Sequence, residues 1–533
     1  MKTQHFVPLL LSLLLGACTG SKTSDGKSLN DCPEIATLQQ VGNDKVMVVQ
    51  LDKVRDTLDL PLSRLLDDFQ IVPLDNRKEA LTKGQSVTAY DNYVGMGGGM
   101  DDPYRLFDRK GRFLCQIGAN GQGPGEYWAV YDSYIDEPND RIYLMPWNAK
   151  SMLVYNLKGE YLSSIPLPTL VPKGVFSIDT QKQRLTVGLL PFADIKGASV
   201  VWQQDFEGNI LHRVEASPYA ITPDYSNEVS SYQNSGNGIF DFCIFHWQAT
   251  ADSLYHFLPE ENRLAPVLTL QQPEEKIQHD YVELPEHYLI DIPTGYTNSE
   301  YGSYVSQRAS VVLDKQTRKG AYVRIQNDLI GNAPVEYAFF YFRRGYFAYT
   351  IEPGMLLENI ETALSRPELL NEKQRSMLET LKGNINENDN NYLFVGKIKK
   401  NADLSGLESM RQLPDVQKQE KPDMAMTASQ EEEQTDTVVF NTPYIKDWKE
   451  YYRTNNRFKD WDPNNEVTTL VGAVIEKDGT PWNLKILRSS GHDELDQEAI
   501  RLVREADIDP ATNKAKQPVR CYNFAAPVSF PPK

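Results

Sequence analysis

Residues 105–168 read RLFDRKGRFLCQIGANGQGPGEYWAVYDSYIDEPNDRIYLMPWNAKSMLVYNLKGEYLSSIPLP. This stretch holds one unit twice: an apolar strand, a glycine turn and a second apolar strand, first over Arg105–Ile117 around Gly111 and then over Leu153–Ile165 around Gly159. A third copy follows at Val201–Val214 around Gly208, so the glycines stand 48 and 49 residues apart. Phe113, Cys115 and Ile117 alternate along one face of their strand, the period of a half-buried sheet. Tyr161, Ser163 and Ile165, then Ile210, His212 and Val214, fall at the same offsets, with Leu114, Leu162 and Leu211 on the opposite face. A glycine suits each turn because a tight hairpin needs a residue that tolerates positive φ. Several short strands recurring every 40–50 residues predict the blades of a β-propeller.

A family resemblance sits in the same stretch. In ANGQGPGEY (Ala119–Tyr127), the residues Gly121, Gly123, Pro124, Gly125, Glu126 and Tyr127 match the GxGPGEY pattern of the six-bladed β-propeller lipoproteins of anaerobic Gram-negative bacteria. NDNNYLFVGK (Asn388–Lys397) resembles the usual last strand of that family. The resemblance covers roughly Cys32–Leu407. It implies the fold and is nearly silent about function.

The ends of the chain carry their own signals. Lys2 precedes an apolar run, Phe6–Leu15, too short to span a bilayer, which needs about 20 residues. Residues 1–17 therefore read as a signal peptide. Leu15-Gly16-Ala17-Cys18 resembles a bacterial lipobox, which would leave Cys18 acylated at the new N-terminus. Several acyl chains (palmitate and its like) anchor stably where one does not. Thr19-Gly20-Ser21-Lys22 lacks an acidic pair after the cysteine, which favours the periplasmic side of the outer membrane and leaves the cell surface as the other address. Residues 18–44 are assigned to a lipidated N-terminus and tether, and 45–410 to the propeller. Those 366 residues allow 61 for each of six blades, so insertions are expected. One is Met355–Lys382, helical by its apolar spacing, broken at Pro367 and placed over one face of the ring.

Beyond Leu407 the composition changes. Pro414–Thr437, within a segment 411–437, combines few apolar residues with Glu431-Glu432-Glu433 and reads as a disordered acidic linker, about 24 residues long with a reach of roughly 25–30 Å. In the last segment, 438–533, Val471, Ala473 and Ile475 alternate, Lys477-Asp478-Gly479 turns, and Trp482, Leu484 and Ile486 alternate back. Leu495, Ala499, Leu502, Val503 and Ala506 form a helical stripe, and Val519–Phe530 a final strand. That order predicts a small α+β domain. It resembles the C-terminal domain of TonB through Gly472-Ala473-Val474, Asp478-Gly479, Arg488-Ser489-Ser490-Gly491, Leu495-Asp496 with Ala499, Asp509-Pro510-Ala511, and Pro527-Val528 with Phe530. In that family the domain takes a receptor peptide as an added strand. Ile508 and Asp509 stand where the family usually has an aromatic residue, and Pro414 and Pro422 alone stand where a transducer has a Pro-rich spacer.

The charge of −18 and the absence of a basic patch exclude nucleic acid as a partner. The cysteines Cys18, Cys32, Cys115, Cys243 and Cys521 include no CxxC pair, so neither a metal nor a cofactor is expected. No HExxH or GxSxG pattern occurs, and the chain is not expected to be an enzyme. His246, His256 and His279 are the candidates if one exists. Two functions follow. In the first, a lipid-anchored envelope scaffold binds a ligand or partner on its propeller and docks a peptide or envelope protein through its C-terminal domain, with a link to TonB-dependent transport. In the second, a propeller hydrolase or lyase acts on glycans.

Overall fold

The three glycine turns are closed by the residue three positions before each glycine. Asp108 Oδ1 accepts the amides of Lys110 and Arg112 at 2.9 and 3.0 Å. Asn156 Oδ1 accepts those of Lys158 and Glu160, and Asp205 Oδ1 those of Glu207 and Asn209. Such a side chain mimics a backbone turn and frees the glycine to take φ of +81°, +84° and +93° at Gly111, Gly159 and Gly208. Space adds a second demand. A Cβ at Gly159 would lie 2.5 Å from the Gln116 carbonyl oxygen, and one at Gly111 2.1 Å from that of Pro73. Each turn is thus pressed against the outermost strand of the preceding sheet.

The computed structural model describes residues 27–410 and 443–531, apart from 85, 98, 100, 101, 196, 248, 249, 272–275, 300, 301, 462–466, 489, 513–516 and 520. The signal peptide, Cys18 and the segment 411–437 lie outside the described residues. The chain forms two compact units, Met1–Gln419 and Glu420–Lys533.

Among the described residues the first unit holds six sheets of four or more strands. Sheet one comprises Ser86–Ala89, Tyr93–Gly97, Arg105–Asp108 and Phe113–Gln116, and sheet two Val130–Asp136, Arg141–Pro146, Ala149–Tyr155 and Tyr161–Val171. Sheet three comprises Gly174–Asp179, Arg184–Leu189, Ser199–Gln204 and Ile210–Glu215. Sheet four is built on Glu228–Ser230, Asp241–Phe245, Ser253–Leu258 and Arg263–Leu270. Sheet five is built on Asp280–Glu283, His287–Ser299, Gly302–Asp314 and Gly320–Asn327, and sheet six on Phe342–Arg343, Tyr346–Ile351 and Tyr392–Ile398. Within each sheet these strands are antiparallel and follow chain order.

The N-terminal segment completes the last three sheets. Its strands are β1 (Ala36–Val41), β2 (Asp44–Val49), β3 (Thr57–Pro61) and β4 (Leu66–Pro73). β2 pairs in parallel with Arg263–Leu270 at the outer edge of sheet four, and β1 pairs with β2. β3 pairs in parallel with Gly320–Asn327 of sheet five, and β4 antiparallel with Tyr392–Ile398 of sheet six. Residues 27–44, assigned to the tether above, are therefore part of the fold. Lys27 and Leu407 exchange two backbone hydrogen bonds of 2.8 Å, and Leu29 N donates to Leu404 O.

Apolar side chains fill the spaces between neighbouring sheets. Leu106, Ile135 and Tyr155 join sheets one and two, Val154, Phe176 and Trp202 sheets two and three, and Val200, Val229 and Phe242 sheets three and four. Cys243, Leu289, Ile325 and Phe347 run through sheets four, five and six, while Val72, Ala89, Phe107 and Leu393 join six to one. The helical insertion forms Pro353–Leu364 and Glu372–Asn384, interrupted at Pro367. Its buried Leu356, Ile360, Ala363 and Leu378 pack with Tyr392 and Phe394. The pair therefore lies against sheet six rather than over an end of the ring. Cys32, Cys115, Cys243 and Cys521 are free thiols, three of them buried.

In the second unit the strand Val467–Ile475 lies between Pro481–Arg488 and Cys521–Phe530. The helix Asp493–Glu505 buries Leu495, Ala499, Leu502 and Val503 with Val471, Val528 and Phe530. A further helix, Trp448–Asn455, places Tyr452 in the same core. Buried Asp496 accepts hydrogen bonds from Thr469 Oγ1 at 2.6 Å and from Ser490 N at 2.8 Å, fixing the entry to the helix.

Candidate functional site

The three candidate histidines do not form one site. His246 Nε2 lies 2.9 Å from Asp252 Oδ2, and Tyr255 donates to the other oxygen of that carboxylate. His279 packs nearby, its Nδ1 2.7 Å from the Ile277 carbonyl, and burial lowers its pKa. His256 belongs to another group, where Glu283 binds both its Nε2 and Lys315 Nζ at 2.6 Å. Among the described residues no group of three or more His, Cys, Asp or Glu is placed to hold a metal. The GxGPGEY stretch serves the fold. The Gly125 carbonyl accepts from the Tyr155 hydroxyl at 2.6 Å, the buried Tyr127 hydroxyl bonds the Ile117 carbonyl, and Gly123 N donates to Glu126. The first two bonds anchor the connecting stretch to sheet two and to the end of sheet one, and the third closes its own turn.

Arg344 brings the sheets together from inside. It sits in the turn between the first two strands of sheet six with φ of +52°, and its side chain is 5 % exposed. Nη2 donates to Asp132 Oδ2 of sheet two at 3.1 Å and to the Phe176 carbonyl of sheet three at 3.0 Å. Its backbone amide donates to the Tyr232 carbonyl beyond the first strand of sheet four at 2.7 Å. The guanidinium also lies 5.2 Å from the ring centres of Tyr134 and Phe176, an arrangement that favours Arg over Lys. Asn234 adds two more links to sheet six, to Phe342 O and from Gly345 N, both at 2.9 Å. The first strands of four sheets are thus cross-tied by buried polar groups.

Because the strands run alternately up and down, the segment before each sheet and the loop between its second and third strands lie at one end. At that end Lys173 is 5 % exposed and fully used. It donates to Glu228 Oε1 at 2.5 Å, to Tyr225 O at 2.6 Å and to Asn227 O at 3.0 Å. Tyr131 donates to Glu228 Oε2 at 2.5 Å. Burial, and next the Glu228 charge, push that phenol well above its ordinary pKa, so it remains a donor. Arg343 Nη2 lies 3.7 Å from Asp132 Oδ1 just below.

Aromatic rings surround this group. Trp147 N donates to the carbonyl of Ala129, the residue that follows Trp128 in the chain. The Trp147 ring meets Tyr225 edge-on at 5.9 Å, and Phe192 meets Tyr225 at 4.9 Å. Trp247 N donates to Asn227 Oδ1 at 2.8 Å, and Gln278 Nε2 donates to the Trp247 carbonyl at 3.1 Å. Trp128, Tyr225 and Trp247 remain 65, 48 and 48 % exposed. Sequence reading missed this surface because its members come from separate loops of sheets two, three and four. The available signal was four aromatic residues placed just before, or between, predicted strands.

The second unit offers a different feature. Among the described residues the outer edges of Pro481–Arg488 and Cys521–Phe530 have no strand beside them. An extended peptide could add there through main-chain hydrogen bonds.

The family described as a domain of unknown function (DUF4934) matches residues 46–397, and the C-terminal domain of Gram-negative bacterial TonB proteins matches residues 464–532. No curated protein matches the sequence. Among solved structures, a protein of Bacteroides fragilis described as exported is 14 % identical, with 64 % of this chain and 99 % of that one covered and a TM-score of 0.43. A DUF4221-family member from Bacteroides vulgatus is 12 % identical over 63 % and 98 % of the two chains, with a TM-score of 0.39. The WD40 domain of Toxoplasma gondii coronin is 10 % identical over 55 % and 71 %, with a TM-score of 0.30.

Proposed function

The chain belongs to the DUF4934 family, and from that premise we propose a lipid-anchored binding and scaffold protein of the cell envelope, without catalytic activity. The first unit is read as a six-bladed propeller, its ring closed where β4 of the N-terminal segment joins the last strand of sheet six. Cys18 carries the acyl anchor to the outer membrane, facing the periplasm. The TonB-like unit docks a peptide or an envelope protein at a sheet edge, which links the chain to TonB-dependent transport. The observation that carries the reading is the exposed aromatic mouth set over first strands that Arg344 ties shut. Such a surface suits binding at the end of the ring better than chemistry deep inside it.

Affinity purification of the full chain from solubilised envelopes, against a chain ending at residue 410, tests the docking. The longer chain is expected to retain a partner that the shorter one loses. Identical partner sets would overturn the docking role. The anchor is read by metabolic labelling with a palmitate analogue, which should tag the wild type and leave Cys18→Ala untagged; a labelled variant would overturn it. The group formed by Lys173, Glu228, Tyr131 and Arg343 favours a second reading, a glycan hydrolase or lyase. Release of new reducing ends from polysaccharide, lost in Glu228→Gln, would establish that reading instead.

A further inference from the structure

We propose that the mouth formed by Trp128, Trp147, Tyr225, Trp247 and Glu228 binds a neutral oligosaccharide, its ring faces stacked on the exposed aromatics and its hydroxyls bonded to the fixed carboxylate. The inference rests on the binding reading given above and names the ligand class of that same surface.

The first argument is the pairing of flat rings with a held acceptor. A pyranose presents apolar C–H faces and a rim of hydroxyls, so it needs aromatic faces beside polar groups that do not move. Glu228 meets the second need. Its two oxygens are each held at 2.5 Å, one by Lys173 and one by Tyr131, while the side chain stays 42 % exposed. A carboxylate has about four acceptor positions, so roughly half remain directed outward. Such charge-assisted bonds are the stronger kind.

The second argument is rigidity. The Tyr225 ring is fixed edge-on by Trp147 and Phe192, and its carbonyl is bonded by buried Lys173. The Trp247 backbone is bonded on both sides, by Asn227 and Gln278. Rings held in this way lose little freedom when a ligand stacks on them. The Trp147 indole N–H is buried beside them with no partner among the described residues. A buried donor left unpaired is unfavourable, and a ligand hydroxyl that reached it would satisfy it.

The third argument is charge. Lys173 spends all three of its donors inside the protein, so the ionic group facing out is Glu228. With a net charge of −18 on the chain, a sulfated or uronate-rich glycan would be repelled, and so would an anionic lipid surface.

The probe is a microarray of neutral glycans, followed by affinity electrophoresis of the full chain in the polysaccharide that binds. Retardation is expected, weakened at least tenfold in Trp247→Ala and in Tyr225→Ala and about fivefold in Glu228→Gln, while Trp448→Ala, an exposed aromatic of the second unit, changes nothing. Absence of any neutral glycan signal would overturn the inference, as would retardation unaffected by Trp247→Ala and Tyr225→Ala. Capture confined to acidic glycans, to vesicles of neutral or anionic phospholipid, or to peptides would do the same. The envelope purification is scored separately. A silent array alongside an intact partner set would remove the saccharide and leave the docking function standing.

Discussion

Sheets four, five and six wear an added strand on their outer edge, and sheets one, two and three do not. The added strands come from one N-terminal segment that walks across three consecutive sheets. An open edge presents unpaired amides and carbonyls and invites association. The uncovered sheets manage this locally. The edge strand of sheet one has only four residues, and the turn around Gly159 is pressed against it. The edge strand of sheet two carries Pro166 and Pro168, which cannot donate to a neighbour. On sheet three the Arg213 amide is already bonded to Asn262 of the next sheet. One half of the unit is therefore protected by a remote segment, the other by its own sequence.

The largest effect should come from removing the segment. Ile35, Val49, Val54, Leu58, Leu60, Leu62 and Leu65 are each no more than 1 % exposed. At about 1.5–3 kcal/mol for each fully buried side chain, they contribute on the order of 10–20 kcal/mol before chain entropy. That matches or exceeds the usual net stability of about 5–15 kcal/mol. A chain lacking residues 27–65 is expected to lose cooperative thermal unfolding. A native-like melting transition in the shortened chain would break the comparison.

Arg344→Ala comes next, because it severs the tie from covered sheet six to uncovered sheets two and three and leaves Asp132 buried. Loss of one partner of a buried pair costs about 3–5 kcal/mol, readable as a fall in the urea midpoint. A change under about 1 kcal/mol would mean that Asn234 and the apolar contacts suffice.

One buried carboxylate from each half shows a contrast. Asp132 faces two arginines, whereas Asp280 of sheet five accepts from Tyr281 N, Tyr232 Oη and Cys243 Sγ. Burial raises the Asp280 pKa from 3.8 to about 6. Its protonated form is thus favoured in the folded state. The stability it contributes is full below about pH 4 and is lost as pH rises through about 6. From this residue alone, unfolding at pH 7.5 should be easier than at pH 4 by about 2 kcal/mol. Asp280→Asn is expected to flatten that part of the pH profile, measured by thermal melts at each pH. An unchanged slope would sink the assignment.

The smallest effect is expected at Leu162, an outward residue of sheet two that is 43 % exposed. Leu162→Ser should shift stability by no more than about 0.5 kcal/mol. A larger loss would mean that this uncovered edge is occupied in solution.

These differences follow what sequence can carry. The hairpins around Gly111, Gly159 and Gly208 were legible because each is a local device, a glycine turn between alternating strands. The Met355–Lys382 helices were legible by spacing, though not the surface they lie on. The pairing of Met47 with Leu268 was not legible, since a parallel contact across some 220 residues leaves no local trace. Nor was the mouth, whose members meet only after three sheets have stacked. Arg344 stood in the sequence as one of a pair of arginines before a glycine, with nothing to show that it points inward. The three histidines drew notice as titratable groups, yet each was already engaged by a carboxylate or a carbonyl.

The bridge between Lys27 and Leu407 has a mechanical side. It places the entry and the exit of the first unit side by side. Tension applied between residues 27 and 410 would not run through the six sheets. It would fall first on the pairing of Ser409 and Met410 with Leu58 and Thr57, then on this antiparallel bridge and the Leu29–Leu404 bond, which open in sequence like a zipper rather than together in shear. A tug on the chain beyond Leu407 is thus handed to the chain before Lys27 through a few residues, as the strain relief on a cable spares the instrument it serves.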